Sequence, residues 1–101
     1  MSTLVVQRTV TITSPNGLHA RPAELIARTA MRYESEIELL QEGVRVDAKS
    51  ILHVLTLGAA QDSELVLEAR GPDAEHAIEA LADLVARDFE PDESLSQDRS
   101  G

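Results

Sequence analysis

Polar and hydrophobic residues alternate in part over residues 4–13, a stretch that is also rich in β-branched side chains. Residues 4–13 read LVVQRTVTIT and predict a first strand. Residues 14–17 (SPNG) are turn-forming types and end it. Apolar side chains then recur at the spacing of one helix face, which predicts a first helix over about 20–32. These positions are Ala23, Ile26, Ala27 and Ala30. Because most of them are small, we expect this helix to lie close to a sheet.

The middle of the chain predicts a β-hairpin followed by a short helix. Apolar and polar residues alternate on both sides of a turn at residues 42–43 (EG). The apolar hairpin positions are Ile37, Leu39, Val44 and Val46. Ser50 is expected to be the N-cap of a second helix, which Gly58 ends. The apolar positions of that helix are Ile51, Val54 and Leu55.

The last third predicts a fourth strand, a third helix and a polar tail. Leu65, Leu67 and Ala69 alternate with residues 66, 68 and 70 (V, E and R), and Asp73 is the expected N-cap of the third helix. The apolar face of this helix is the clearest in the chain and consists of Ala77, Ile78, Leu81, Leu84 and Val85. Residues 90–101 are acidic and serine-rich, so we expect a folded domain over 1–89 and a disordered acidic tail.

The predicted order of elements is β-α-β-β-α-β-α. In one short domain, this order favours an α+β fold in which helices are layered on one face of a sheet with antiparallel neighbours. The spacing of residues takes the prediction no further than that class.

Composition narrows the possible functions. The 101 residues suffice for one domain, and a net charge of −9 disfavours binding to nucleic acid or to anionic lipid. There is no cysteine, so disulfides and thiolate zinc sites are excluded. No segment has the length and apolarity of a membrane span, and the first residues lack the apolar core of a signal peptide. We therefore expect a cytoplasmic protein that is not inserted in a membrane.

The candidate chemistry lies where the first helix begins. His19 is at the predicted N-cap, so the free backbone N–H groups of Ala20 and Arg21 point towards an anion bound beside its ring. The Arg21 guanidinium is suited to phosphate oxygens, and Pro22 falls in the first turn, where its missing N–H costs no hydrogen bond. Both the helix dipole and Arg21 favour a neutral, nucleophilic imidazole. This arrangement suggests a histidine that accepts and donates a phosphoryl group, although a solvated surface histidine or an ordinary helix start would fit the same spacing.

Two segments carry a resemblance to a known family. Residues 16–23 (NGLHARPA) resemble the phosphorylation site of HPr, the histidine-containing phosphocarrier of the bacterial sugar phosphotransferase system. Residues 47–52 (DAKSIL) and 57–58 (LG) resemble the second-helix region of the same family. The resemblance covers roughly residues 4–88. It implies an HPr-like two-layer sandwich, with an antiparallel four-stranded sheet in the order 1-4-2-3 and three helices on one face.

The resemblance also implies residue roles and partners. His19 would be phosphorylated on Nδ1, Arg21 would bind the phosphate, and Ser50 would be the target of an ATP-dependent HPr kinase. Enzyme I would donate the phosphoryl group and Enzyme IIA proteins would accept it, so the chain would be a carrier rather than a stand-alone enzyme. We expect a monomer that needs neither a cofactor nor a metal.

The resemblance places partner docking on the first two helices. The docking residues it implies are Arg28, Ile51, Leu52 and Leu55. Ile51 and Leu55 could equally be core residues at i,i+4 spacing, whereas Leu52 lies off that face and is the better candidate for an exposed contact. Two positions depart from the family pattern. Glu24 could repel a phosphate, engage Arg28 or compete for Arg21, and His53 is interpreted as a surface residue.

Two other functions remain possible on the sequence alone. One is a regulatory HPr-like module for nitrogen-branch or catabolite control, without a role in sugar uptake. The other is a metal-binding domain using His19, His53 and His76, but their spacing matches no known site.

Overall fold

The computed structural model describes residues 4–90 and contains the seven elements that the sequence predicts, in the predicted order. The elements are β1 (Val5–Thr11), α1 (Ala20–Ala30), β2 (Glu36–Gln41), β3 (Val44–Asp47), α2 (Ile51–Leu55), β4 (Glu64–Arg70) and α3 (Ala74–Ala86). Apart from Glu90, the predicted disordered tail lies outside the described residues, as do residues 1–3 of the predicted domain.

The four strands form one sheet in the order β1-β4-β2-β3, and every neighbouring pair is antiparallel. In the register of the sheet, Leu67 at the centre of β4 lies opposite Arg8 on one side and Leu39 on the other. The predicted α+β class and the strand order 1-4-2-3 are therefore confirmed.

The core is aliphatic and lies between the sheet and the helices. The predicted faces of α1 and α3 are buried, and Phe89 closes the core just beyond the end of α3. Helix α3 packs directly on β1 and β4. Helix α1 packs against α2 and α3, and its buried face also belongs to the core that it shares with the strands. The small residues of α1 therefore allow close contact with the neighbouring helices as well as packing towards the sheet.

Helix α2 differs from its predicted pattern. It has five residues, and Val54 is the only one of them that is buried. Ile51 is 40% exposed and Leu55 is half-buried, so the interpretation of Ile51 as a core residue is wrong. A helix of little more than one turn presents only one side chain squarely to the core, which explains the difference.

A polar joint, partly open to solvent, links the start of β2 to the start of α3. Asp73 is at the N-cap position of α3, as predicted, but its side chain makes no capping bond to that helix. Its carboxylate instead accepts hydrogen bonds from the N–H groups of Glu34 and Ser35, both at 3.0 Å, and from the Ser35 hydroxyl. The bond from the Ser35 hydroxyl, followed by that from Glu34 N–H, lowers the pKa of the Asp73 carboxyl. A Cβ atom on Gly71 would lie 2.6 Å from Ser35 Oγ, so only glycine allows this close approach.

The sheet face opposite the helices carries a second polar cluster, centred on Glu68. Its carboxylate accepts hydrogen bonds from Gln7 Nε2 at 2.6 Å, Arg70 at 2.8 Å and Arg45 at 2.9 Å. The residue is only 4% exposed because these side chains cover it. The bonds from Arg70, Gln7 and Arg45 lower the pKa of the Glu68 carboxyl to about 2. Arg45 also pairs with Glu38 at 2.6 Å, so the cluster joins β1, β4, β2 and β3.

We predict that Glu68→Gln lowers the free energy of unfolding by about 1–3 kcal/mol at about pH 7, because it removes the charge that the two arginines bind. The Glu68 pKa is lowered in the folded state, so its stabilising effect is present above the ordinary value of 4.5 and is lost as the pH falls towards about 2. Urea unfolding of both proteins should therefore show a difference that shrinks below about pH 4.5.

The matched control for this experiment is Glu64→Gln, on the same strand. Glu64 is exposed and forms no ion pair within residues 4–90. This variant should change the free energy of unfolding by less than about 0.5 kcal/mol. A difference between wild type and Glu68→Gln that stays constant from neutral to strongly acid pH would contradict the prediction.

Candidate functional site

His19 is an exposed residue at the N-cap of α1, as predicted. Its backbone is extended, with φ −86° and ψ −167°, and its side chain makes no capping hydrogen bond to the helix. The ring is therefore open to solvent and is not bound to the first turn of its own helix. An imidazole placed in this way can meet a reacting group on another protein.

The first turn of α1 presents two backbone donors that lack a partner in the described part of the chain. The Ala23 N–H donates to the His19 carbonyl oxygen at 3.0 Å, and Pro22 has no N–H. Within residues 4–90, neither the Ala20 nor the Arg21 N–H donates to a protein acceptor. Free N–H groups at the positive end of a helix dipole attract anions. The amides predicted to bind phosphate are thus available beside His19.

The Arg21 guanidinium adds a positive charge to this helix end. Arg21 is exposed and forms no ion pair with a carboxylate in the described part of the chain. Glu24, the suspected competitor, instead lies 3.7 Å from Arg28 as an exposed i,i+4 pair, and the first turn of α1 contains no acidic residue. Arg21 therefore retains its full hydrogen-bonding capacity for an anion.

Gly17 fixes the loop that leads into His19. Its φ is +66°, and a Cβ atom at this position would lie 2.2 Å from the Ala59 carbonyl oxygen. The same carbonyl accepts a hydrogen bond from Leu18 N–H at 2.9 Å, and the Leu18 side chain is buried. Only glycine permits both the backbone conformation and this approach. The glycine in the motif is therefore a packing requirement that positions the neighbouring histidine.

The loop that contains Ala59 also binds the chain just after β1, where the segment leading to His19 begins. Ile12 N–H donates to the Ser63 carbonyl at 2.9 Å, and Asp62 N–H donates to the Ile12 carbonyl at 2.6 Å. The Gln61 side chain also donates to the Thr13 carbonyl at 3.3 Å. Sequence reasoning missed this support because the contacts join backbone groups that are far apart in the chain and leave no hydrophobic pattern. The only hint in the sequence was Gly17 itself, because a glycine in a turn often marks a backbone with positive φ or a close approach to another segment.

Ser50 is the N-cap of α2, as predicted. Its hydroxyl oxygen accepts a hydrogen bond from His53 N–H at 3.2 Å, and its carbonyl accepts one from Val54 N–H at 3.0 Å. Ser50 is half-buried. A hydroxyl in this place stabilises the short helix and is also partly accessible from solvent. Its regulatory role stays a prediction.

The predicted docking residues lie on α1 and α2, which pack side by side. Arg28 on α1 is exposed, and on α2 the Leu52 side chain is 77% exposed while Ile51 is 40% exposed. Met31, just beyond the end of α1, is another exposed apolar side chain that sequence reasoning missed. An isolated methionine in a predicted helix gives no signal that it faces solvent.

The three histidines lie on separate elements, at the start of α1, in α2 and in α3. Across residues 4–90, no group of three or more histidine, aspartate or glutamate side chains is arranged to hold a metal ion. No helix in that range is long and apolar enough to cross a membrane.

Comparison with known proteins identifies the family. The family model described as "PTS HPr component phosphorylation site" matches residues 6–87. Phosphocarrier protein HPr of Buchnera aphidicola subsp. Baizongia pistaciae is 43% identical over 76 residues, which cover 75% of this chain and 89% of that protein. The crystal structure of HPr from Thermoanaerobacter tengcongensis matches with a TM-score of 0.82 and 39% identity, covering 86% of this chain and 98% of its own.

A relative with another name matches as well. The Bacillus subtilis catabolite repression protein Crh, solved as a dimer with swapped domains, has a TM-score of 0.68 and 36% identity over 85% of this chain and 99% of its own. The matched motif, the sheet order and the extent of the identity agree. The chain therefore belongs to the HPr family and is a phosphocarrier of the phosphotransferase system.

Proposed function

We propose that His19 is the residue that carries the phosphoryl group and that Arg21 and the N–H groups of Ala20 and Arg21 stabilise it. The observation that carries this proposal is the exposed imidazole at a helix N-terminus, beside two amides and a guanidinium that have no partner within residues 4–90. A site made of oriented donors suits phosphoryl transfer, because that reaction depends chiefly on positioning and charge stabilisation.

The transfer step follows from the chemistry of a neutral imidazole. The lone pair on His19 Nδ1 attacks phosphorus as the bond between phosphorus and the donor group breaks, while the ring proton remains on Nε2. The phosphoryl oxygens then lie close to the free N–H groups and Arg21, which lowers the energy of the negative charge. Transfer to the next acceptor reverses these events, so the carrier ends unchanged.

Phosphocarriers of this family exchange phosphoryl groups with Enzyme I and Enzyme IIA proteins. We propose that both partners dock on a surface formed by Arg28, Ile51, Leu52 and Leu55, next to His19. This surface combines the exposed apolar side chains of Ile51 and Leu52 with the exposed Arg28, and a binding patch commonly has such an apolar centre and polar rim. We also propose that the chain acts as a cytoplasmic monomer, as expected for a carrier shared among several partners.

A second candidate function is regulation through Ser50, with or without sugar uptake. The similarity to Crh favours it, and so does the half-buried hydroxyl at the start of α2. A phosphate on Ser50 would be tolerated at a helix N-terminus and would add negative charge to the proposed docking surface. An HPr kinase would then be a further partner.

We predict that His19→Ala abolishes phosphorylation by phosphoenolpyruvate and a cognate Enzyme I. Wild type should gain one acid-labile phosphate, measured by mass spectrometry of the intact protein. His76→Ala is the matched control, because His76 is also exposed but lies on α3, and it should be phosphorylated like wild type. Labile phosphate on His19→Ala, or its absence from wild type, would refute the assignment.

We predict that Arg21→Ala slows phosphorylation of His19 by about 10- to 100-fold, since a hydrogen bond to a charged group is worth about 1.5–3 kcal/mol. The loss should appear mainly in the rate of phosphoryl transfer, which is measured by rapid quenching and analysis of the protein-bound phosphate. Arg8→Ala removes another exposed arginine without an ion pair in residues 4–90, but from β1. An equal loss in both variants would mean that general charge, and not the phosphate contact, is responsible.

We predict that an HPr kinase with ATP places one phosphate on Ser50, and that Ser50→Ala remains unmodified. Ser50→Ala should also lower the free energy of unfolding by about 1 kcal/mol through loss of the cap. Peptide mapping by mass spectrometry separates Ser50 from the other serines. Wild type that stays unmodified would remove the regulatory proposal and leave the carrier function intact.

A further inference from the structure

His53 forms two hydrogen bonds that together close the first turn of α2. Its backbone N–H donates to Ser50 Oγ at 3.2 Å, and its ring nitrogen Nδ1 accepts from Asp47 N–H at 2.9 Å. This reciprocal pattern resembles a capping box, in which the third helical residue reaches back to a backbone N–H before the helix. In a capping box the returning side chain is glutamate or glutamine. Here it is an imidazole.

An imidazole can make this bond in only one protonation state. To accept from Asp47 N–H, Nδ1 must carry a lone pair, so the ring must be neutral with its proton on Nε2. An imidazolium has N–H groups on both nitrogens, so Nδ1–H and Asp47 N–H would point at each other. Protonation of His53 therefore breaks the bond, whereas a glutamine in its place would be unaffected by the same change in pH.

The charged groups around the ring leave it free to respond. The Asp47 carboxylate accepts from Lys49 N–H at 2.9 Å, and the Lys49 ammonium donates to the Tyr33 carbonyl at 2.8 Å. His53 takes part in no ion pair within residues 4–90. The other ionisable side chains on the elements packed against α2 are Arg21, Glu24 and Arg28 of α1 and Arg45 of β3. Of these, Arg28 pairs with Glu24, and Arg45 pairs with Glu38 and Glu68.

Helix α2 depends strongly on bonds at its ends. It has five residues, of which Val54 is buried and Leu55 is packed at the edge of the core, so its packing is limited to one side of a little more than one turn. Short helices are marginal without such support. Loss of the bond to Asp47 should therefore loosen the whole of α2. This includes Ile51 and Leu52, which are its first two residues and carry exposed apolar side chains.

We propose that His53 is a proton-dependent latch on α2. The neutral ring holds the connection between β3 and α2 closed, and protonation releases the Asp47 amide and loosens the apolar surface that α2 presents. The latch stands on the bonds described above, and only its effect on partner docking depends on the proposed docking surface.

The test is NMR of the full chain, titrated from about pH 8 to pH 5, where histidine changes its charge. In wild type, the Asp47 amide resonance should shift with the same midpoint as the His53 ring. The protection factor of the Val54 amide should fall by about 2- to 10-fold over the same range, as expected for one lost hydrogen bond. The rings of His19 and His76 are internal references, and their titration should leave the Asp47 amide unmoved.

Two variants separate the latch from general effects of acid. His53→Asn keeps an acceptor that does not titrate, so its Asp47 shift and Val54 protection should be constant with pH. His53→Ala has no acceptor and should resemble acidic wild type at every pH. An Asp47 amide that ignores the His53 titration, or an equal pH response in His53→Asn, would overturn the proposal. Because these signals are measured without any partner, failure of the phosphocarrier assignments would not affect them.

Discussion

The site depends on one geometric constraint, which is the contact between Gly17 and the Ala59 carbonyl. This contact places Leu18 in the core and brings the chain to the start of α1 with His19 facing solvent. The helix then begins with two N–H groups that have no protein partner in residues 4–90. A helix end that was capped by its own side chain would be more stable but could not receive an anion. The fold keeps this end uncapped and gains the rigidity it needs from the neighbouring loop.

Two clusters of polar bonds supplement the small aliphatic core and help to fix how the strands and helices are placed relative to one another. The carboxylate of Asp73 ties the start of β2 to the start of α3, and the cluster around Glu68 joins all four strands, with β2 reached through the pair of Arg45 and Glu38. Glu68 is buried, and the hydrogen bonds that its carboxylate receives offset the cost of removing it from water. With only two aromatic residues in the chain, specific bonds of this kind define pairings that packing alone would define less sharply.

The sequence predicted the order of elements and the position of His19 well, because both depend on local signals. Periodic apolar residues mark α1 and α3, and the turn residues before His19 mark where the helix begins. The resemblance to HPr, rather than periodicity, supplied the order of the strands. What local signals could not supply were contacts between distant backbone groups, such as Ile12 with Ser63. They also could not show that the Asp73 carboxylate would turn away from its own helix, since both arrangements use the same residue at the same position.

The bonds around Glu68 also shape how another protein approaches. Arg45 and Arg70 are neutralised there, on the face of the sheet turned away from the helices, while the chain as a whole has a net charge of −9. Arg21 keeps its charge at the opposite layer, beside the imidazole. The two arginines of the outer sheet face are therefore engaged within the sheet, whereas Arg21 stays available to an anion at the start of α1. In a chain with a net negative charge, an anionic group is then attracted locally to the start of α1, and this attraction weakens as ionic strength rises.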